Sequence, residues 1–345
     1  MAKVRVTAQC SAIDPVMVTQ VVSATEREVN GIVRWGDDNN YPQYLYGLSK
    51  DAATLGSCIN GTLDYILGNG LQEDVECNDR GEMLSEVLKK AAYDKLLFGG
   101  FCLQVIPLRG GGVYLYHVDF MDCRTNKDRS RVWVSEDWSR WRAMREAREV
   151  PTRGNETSED KSYVIYNVGS LTKSVYPHPL WVGAIKEAEI ERSISTFHLT
   201  EINTNFMGTT VVKYNDGIPN DEQKAEIERQ VMAKFSGKEN AGRVLIVYAN
   251  DKEHSMEFER LSADDYDKRY ETLSRRSRDE IFISFRATPN LFGLPTEGDG
   301  FNSQEYETAF KLFNRTVIRP LQKELLTAIK DLYPQAAIVP FSMEG

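Results

Sequence analysis

The chain has 345 residues, a formal net charge of −9 at pH 7, and hydrophobic and charged fractions of 41% and 27%. That balance is ordinary for a globular protein of one large or several smaller domains, and the acidic charge argues against a protein that grips DNA, because such proteins neutralise phosphates with basic side chains. We expect neither a membrane span nor a signal peptide, because no apolar run approaches roughly 20 residues and polar residues interrupt Met1–Val22.

The first predicted elements are a loop and two helices. Residues 35–42 are rich in turn formers, which predicts an ordered loop. Apolar residues at helical spacing predict helices over 52–67 and 81–97, and Gly68 and Gly70 end the first of these helices.

The hydrophobic period then changes to that of strands. Residues 101–106 and 113–118 flank three glycines, Gly110–Gly112, and this pattern predicts a β-hairpin because glycine supplies the positive φ of a tight turn. A further strand pair is predicted at 131–134 and 163–166.

The second half of the chain is more regular. Tyr176-Pro177-His178-Pro179 precedes a long helix predicted at about 180–206, and a strand follows at 208–216.

Another helix is predicted to begin after Asn220, because Gln223 stands three residues later in the position of a capping box. Strands at 243–248 and 256–260 lead to a further helix, which is capped by Ser262 and carries a narrow apolar stripe.

A loop rich in glycine and proline, 289–300, separates that helix from a last long helix capped by Asn302. Pro320 should kink the last helix, because proline removes one backbone hydrogen bond and its ring clashes with the preceding turn.

No pattern in the sequence favours catalysis. The glycine clusters lack the lysine and Ser/Thr of a phosphate-binding loop, the four histidines are dispersed, and the five cysteines form no zinc module. The acidic pairs Asp37-Asp38, Asp264-Asp265 and Glu297/Asp299 lie in loops or at a helix start, where acids have structural reasons to occur. We therefore predict no catalytic residue, no metal and no cofactor.

The basic residues of the helix after Ser262 spread around most of its circumference. Glu271–Arg275 and Arg276–Glu280 have the i,i+4 spacing of ion pairs, so a salt-bridged helix is favoured over a face that binds phosphates.

The order of parts from Tyr176 onward resembles the portal proteins of tailed bacteriophages and gene transfer agents. The matching strings are the first stem helix from Tyr176-Pro177-His178-Pro179 to Asn203–Phe206, the clip string Phe235–Arg243, the stem-to-tunnel-loop run Asp279–Leu294, and the following helix with Asn302–Glu305 and Ile318–Leu321. Leu97–Phe101 before a strand is a weaker match, and the resemblance covers about residues 80–330.

The resemblance implies an α+β subunit with a wing, a two-helix stem, a β-containing clip, and a long kinked helix after the tunnel loop. The implied segments are the N-terminal part of the wing at 1–178, stem helix 1 at 179–207, the clip at 208–262, stem helix 2 at 263–286, the tunnel loop at 287–302, and the C-terminal part of the wing with a short crown at 303–345.

The implied function is structural and not enzymatic. The subunit would form a homo-oligomeric ring, a dodecamer, at one capsid vertex, through which double-stranded DNA is packaged and ejected. The implied partners are that DNA, the terminase large subunit, head–tail adaptors, and the major capsid and scaffold proteins, with no membrane. The protein would be assembled in the host bacterial cytoplasm and would reside in the virion.

Two groups of residues are candidates for these roles. The DNA-channel candidates in the tunnel loop are Asn290, Thr296, Glu297, Asp299 and Asn302, and the candidates for the stem and subunit interface are Tyr266, Tyr270, Leu273, Arg276 and Ile281. The acidic tip of the loop should repel phosphates, which suits a conduit in which DNA slides.

Two other functions remain open from the sequence. An enzyme acting on nucleic acid predicts a carboxylate cluster and metal-dependent activity. A monomeric scaffold or interaction protein predicts a small mass in solution.

Overall fold

The computed structural model describes residues 8–13, 21–140, 145–169, 172–203, 210–214, 219–235, 244–249, 264–294 and 303–342. The chain divides into two compact units. The first comprises Met1–Gln20 with Ser193–Ser274, and the second comprises Val21–Arg192 with Arg275–Gly345.

Helices and strands both contribute to the described residues, as an α+β fold requires. The helices are α1 Tyr41–Asp51, α2 Ala53–Leu67, α3 Leu84–Phe98, α4 Ile185–Asn203, α5 Asp221–Phe235, α6 Asp264–Ser284, α7 Ser303–Phe313 and α8 Arg319–Ile329. The strands are β1 Ala8–Ile13, β2 Glu26–Val29, β3 Ile32–Trp35, β4 Phe101–Pro107, β5 Val113–Val118, β6 Cys123–Thr125, β7 Arg131–Val134, β8 Arg148–Pro151, β9 Tyr163–Asn167, β10 Thr210–Tyr214 and β11 Val244–Ala249.

Helices α2 and α3 confirm the first two predicted helices. The predicted inner face of α2 is buried at Leu55, Ile59, Leu63 and Ile66. The expected loop at 35–42 is shorter than predicted, because α1 already begins at Tyr41. Pro42 fits the first helical turn, where its missing N–H has no intrahelical partner to lose.

The predicted hairpin of β4 and β5 is confirmed. The two strands pair antiparallel from Cys102↔Val118 to Pro107↔Val113, and β9 pairs with the other edge of β4. The predicted pairing of 131–134 with 163–166 is wrong. Both segments are strands, but β7 lies between β6 and β8 in a sheet of order β2-β3-β6-β7-β8, and β9 belongs to the sheet of β4. Strand propensity is local, whereas the partner is chosen by burial against residues distant in sequence.

The first unit contains a sheet of order β1-β11-β10. Strands β10 and β11 are parallel, and α5 lies between them in the chain, as a parallel crossover requires. The predicted capping box of α5 is confirmed, because the Asn220 N–H donates to Gln223 Oε1 at 3.1 Å and the Gln223 N–H to Asn220 Oδ1 at 2.8 Å. The strand predicted at 256–260 lies outside the described residues.

Strand β1 pairs antiparallel with β11 from Ala8↔Ala249 to Ile13↔Val244. The sequence resemblance groups residues 1–178 as one segment, but the structure unites this N-terminal strand with the sheet of residues 210–249. Its partner strand lies more than 200 residues later, a distance over which sequence periodicity carries no information on pairing.

The last helix contains the irregularity that we expected near Pro320. A π-helical turn, Asn314–Ile318, joins α7 to α8, and Pro320 lies in the first turn of α8. A π turn has wider i→i+5 hydrogen bonding, which suits a position where the proline ring crowds the preceding turn and offers no N–H.

The segment that leads into α4 is anchored in the core of the second unit. The Tyr176 ring stacks on Trp35 with centroids 4.4 Å apart, and its hydroxyl donates to the Val33 carbonyl and accepts from the Thr125 N–H. A little further on, the Trp181 indole N–H donates to the Leu96 carbonyl at 3.1 Å. These contacts fix the start of α4 against α3 and β3.

Candidate subunit-interface and channel segments

Helices α4 and α6 both contribute to the first unit, where aromatic rings hold them together. The Tyr270 ring stacks on Phe197 with centroids 4.8 Å apart and an interplanar angle of 29°. His198 meets the same tyrosine edge-on at 5.7 Å. These contacts give α4 and α6 a pairing surface built from aromatic side chains.

Large apolar side chains on these two helices are exposed. Leu199 and Ile202 on α4 are 60% and 57% exposed, and Leu273 on α6 is 41% exposed. Exposed apolar side chains mark an interaction surface where they form a contiguous patch, whereas single exposed ones are normal for a globular protein.

The structure divides the predicted stripe of α6 into two parts. Tyr270 is half-buried by its stacking, and Leu273 and Arg276 are exposed. Ile281 is fully buried in the core of the second unit, so its side chain serves the packing within its own chain. The side chain of Tyr266 lies outside the described residues.

The buried end of α6 also carries a polar contact to α4. Ser277 is 1% exposed, and its hydroxyl donates to Glu187 Oε2 at 3.1 Å. Both residues belong to the second unit. This hydrogen bond orients the C-terminal half of α6 before the chain reaches the predicted channel segment.

The predicted channel segment begins with a tightly held turn. Asn290 lies in a 3-10 turn, Pro289–Phe292, and is buried; the Thr288 hydroxyl donates to its Oδ1, and its carbonyl accepts from the Gly293 N–H at 3.2 Å. The Asn290 side chain is thus held by contacts within its own chain and is not presented to a channel. The other four channel candidates, Thr296, Glu297, Asp299 and Asn302, lie outside the described residues.

The structure brings together Asp94 and His117, a polar pair that no sequence pattern predicted. His117 Nε2 lies 2.7 Å from Asp94 Oδ2, and the Phe120 N–H donates to the same oxygen at 3.1 Å. Burial raises the pKa of Asp94 to about 6, against the opposing effect of the His117 hydrogen bond. The two residues lie on α3 and β5, and the only sequence signal is a polar residue on an otherwise apolar helix face.

A second missed feature is the buried guanidinium of Arg124. Its Nε donates to Asn39 Oδ1 at 2.8 Å, and its Nη2 donates to the Asn39 carbonyl at 2.6 Å. Nη1 donates to the carbonyls of Met121 and Cys123 at 2.9 and 2.8 Å. The Trp138 ring centroid lies 5.1 Å from the guanidinium carbon. These hydrogen bonds tie the loop before α1 to the sheet of β6, which is a structural role.

Two of the described cysteines are poor candidates for nucleophiles. Burial raises the pKa of Cys58 to about 12 and that of Cys77 to about 11, so both thiols stay protonated at neutral pH. Asp37 accepts from the Thr25 hydroxyl and Asp38 from the Asn40 N–H, which are loop contacts.

Within the described ranges, no three His, Cys, Asp or Glu side chains converge as a metal site. The helices found there also include none with the length and apolarity to span a bilayer.

No protein-family profile matches the chain. Two curated relatives, both named "Uncharacterized protein", come from Rickettsia felis (strain ATCC VR-1525 / URRWXCal2) and Rickettsia bellii (strain RML369-C). They are 26% identical over 142 residues and 28% identical over 116 residues. The matches cover 40% and 34% of this chain and 35% and 28% of the relatives, so the matched part spans about a third of their length.

Three solved structures share the fold. A chain in the neck of a native gene transfer agent particle computed with C12 symmetry has a TM-score of 0.54 and 16% identity, and covers 88% of this chain and 85% of that chain. A chain in the virion of a native gene transfer agent particle has a TM-score of 0.51 and 15% identity, with coverages of 84% and 80%. A chain in the neck of an empty particle computed with C6 symmetry has a TM-score of 0.52 and 14% identity, with coverages of 88% and 86%. At these identities the comparison establishes a shared fold.

Proposed function

We propose that this protein is a portal subunit of a phage-like particle, and that it forms a ring channel for double-stranded DNA at one capsid vertex. The observation that carries the proposal is the fold shared with a chain in a particle neck of C12 symmetry, over 88% of this chain. The portal-like strings from Tyr176 onward, which resemble the portal family in the same order, support it independently.

The exposed side chains of α4 and α6 supply the physical reason for assembly. Leu199, Ile202 and Leu273 would be covered by neighbouring copies, and burial of apolar area is the main favourable term in association. Tyr270 and Arg276 would flank that contact. In a closed ring every copy uses the same two complementary surfaces, so no apolar surface is left over.

The proposed division of labour follows the segments of the portal family. Residues 179–207 and 263–286 form the stem, 208–262 the clip, 287–302 the tunnel loop, and 1–178 with 303–345 the wing and a short crown. We add one refinement, namely that β1 belongs to the clip, because it pairs with β11. Ile281 and Asn290 act as internal anchors at the two ends of the stem-to-loop connection.

In this function the tunnel loop approaches the DNA through Thr296, Glu297, Asp299 and Asn302. Two carboxylates with no basic residue at the loop tip would disfavour tight phosphate contacts. The clip end would dock the terminase large subunit during packaging and head–tail adaptors afterwards. Major capsid and scaffold proteins would surround the ring in the virion.

The deciding experiment is native mass spectrometry with negative-stain electron microscopy on the full chain. The proposal expects closed rings with a central hole. A strictly monomeric protein at high concentration would favour a scaffold or interaction protein instead. Metal-dependent cleavage of nucleic acid by the purified chain would favour the enzyme.

A further inference from the structure

A cavity of about 560 Å³ lies beside the first turn of the channel segment. It is bordered by α2, the 3-10 turn Pro289–Phe292, α7 and the C-terminal segment, all within the second unit. Its volume falls in the range of about 300–1,000 Å³ that is usual for ligand sites.

Five of the ten described residues that line the cavity are aromatic, namely Tyr65, Phe292, Tyr306, Phe310 and Phe341. The Tyr65 ring meets Phe292 at 88° and Phe341 at 86°, with centroids 6.2 and 5.9 Å apart. The Tyr65 ring thus meets two other rings of the lining edge to face, an arrangement that aromatic pairs prefer.

Specific contacts hold the aromatic side chains of the cavity in place. The Tyr65 hydroxyl donates to the Leu291 carbonyl at 2.8 Å, which fixes the ring. Helix α2 has a glycine where Phe292 packs against it, because a Cβ on Gly61 would lie 2.1 Å from Phe292 Cδ1. These contacts hold the Tyr65 and Phe292 rings in position.

The charge of the lining selects the type of ligand. Asp64 contributes the one carboxylate, and among the described residues no Lys, Arg or His lines the cavity. The Asp64 carboxylate makes no ion pair within the described part of the chain. A site with ring faces and an unpaired carboxylate attracts cations and disfavours anions.

We propose that this cavity binds the side chain of an arginine presented by a partner protein chain. The planar guanidinium stacks on aromatic faces, is more weakly hydrated than an ammonium group, and can donate a pair of N–H bonds to one carboxylate. The rings would take the faces of the guanidinium, and Asp64 would accept its N–H groups. This site does not depend on the ring function, because all its walls lie in one subunit.

The test uses N-acetyl-arginine methylamide as the probe and the uncharged isostere N-acetyl-citrulline methylamide as the comparison. Binding to the full-length chain is measured at low salt by ligand-observed NMR titration. We expect the arginine probe to bind and the citrulline probe to bind several-fold more weakly. Asp64→Asn should weaken arginine binding about fivefold, the upper range for an exposed charge pair.

Two further variants complete the test. Glu73→Gln removes an exposed carboxylate elsewhere on the second unit and should leave binding unchanged. Phe310→Leu should weaken binding about fivefold through loss of one ring face. Because Asp64 is exposed, its variant keeps the test informative even if Phe310→Leu fails to fold.

Equal binding of the two probes, no effect of Asp64→Asn, or no binding at the solubility limit of the arginine probe would each overturn the proposal. Tighter binding of putrescine than of the arginine probe would assign the cavity to a polyamine and overturn it as well. Ring assembly is measured separately, so failure here leaves the proposed portal function unaffected.

Discussion

Gly99 is the position where a single methyl group should disturb the entry to α4 most directly. It ends α3 in the left-handed conformation, with φ +89°, and its N–H donates to the Lys95 carbonyl at 3.0 Å. A Cβ at this position would lie 2.3 Å from the His178 carbonyl oxygen and 2.9 Å from the Pro179 nitrogen. Both are backbone atoms, which cannot swing aside as a flexible side chain can.

Two destabilising effects therefore add in the Gly99→Ala variant. Holding an L-residue in the left-handed region costs about 1 kcal/mol. The overlap with the 178–179 backbone adds about 1–3 kcal/mol, the usual range for overpacking a well-filled site. The free energy of unfolding should fall by about 2–4 kcal/mol in total.

Gly81→Ala is the matched control. Gly81 has φ +75°, but a Cβ at this position would have no atom within 4 Å, so only the conformational term applies. Urea denaturation followed by tryptophan fluorescence measures both variants, and the buried Trp181, close to α3, reports on this region. If Gly99→Ala lowers stability no more than Gly81→Ala does, the close approach of the two backbones is refuted.

Four other outcomes are expected. Burial raises the pKa of Asp94 from 3.8 to about 6, so the native state binds the Asp94 proton more tightly than the unfolded chain does, and the free energy of unfolding falls as pH rises through this window. Asp94→Asn should flatten that fall in denaturation curves recorded at several pH values. An unchanged pH dependence in the variant would contradict the raised pKa of Asp94. Arg124→Met leaves several buried acceptors without donors, so it should lower the free energy of unfolding, measured by urea denaturation, by at least about 3 kcal/mol. An unchanged free energy of unfolding would contradict a stabilising role of these hydrogen bonds. Leu273→Glu should shift rings toward monomers in native mass spectra, while Val75→Glu, equally exposed on the second unit, should not. Deleting Thr296–Gly300 should leave the ring assembled but impair DNA packaging or retention. Normal packaging by the deletion variant would contradict the assignment of this loop to the channel.

Local signals locate many of the described elements correctly. The hairpin of β4 and β5 follows from alternation around three glycines, and the start of α5 follows from Asn220 and Gln223, whose reciprocal hydrogen bonds are formed. Both signals act within a few residues, so the tertiary environment needs only to permit them. The start of α1 cannot be predicted in the same way, because Asn39 and Pro42 fit a loop and a helix start equally well.

The candidate site is only partly accessible to the same reasoning. Periodicity identifies the stripe on α6 as apolar, but it treats the two ends of the stripe alike. The structure exposes Leu273 and buries Ile281, because the helix passes from one unit into the core of the other. The aromatic cavity is invisible in the sequence, since Tyr65, Phe292, Tyr306 and Phe341 come from four separate segments.

Side-chain period and capping chemistry are fixed by neighbours along the chain, which is why the amino-acid order alone predicts most of the described helices, though not α1, and the hairpin of β4 and β5. Contacts between distant segments follow a different rule, because a strand or a polar side chain takes whichever partner lets the whole chain bury its apolar surface and satisfy its hydrogen bonds. The pairing of β1 with β11 and the meeting of Asp94 with His117 are of this kind. Only the tertiary structure shows which residues meet in these two cases.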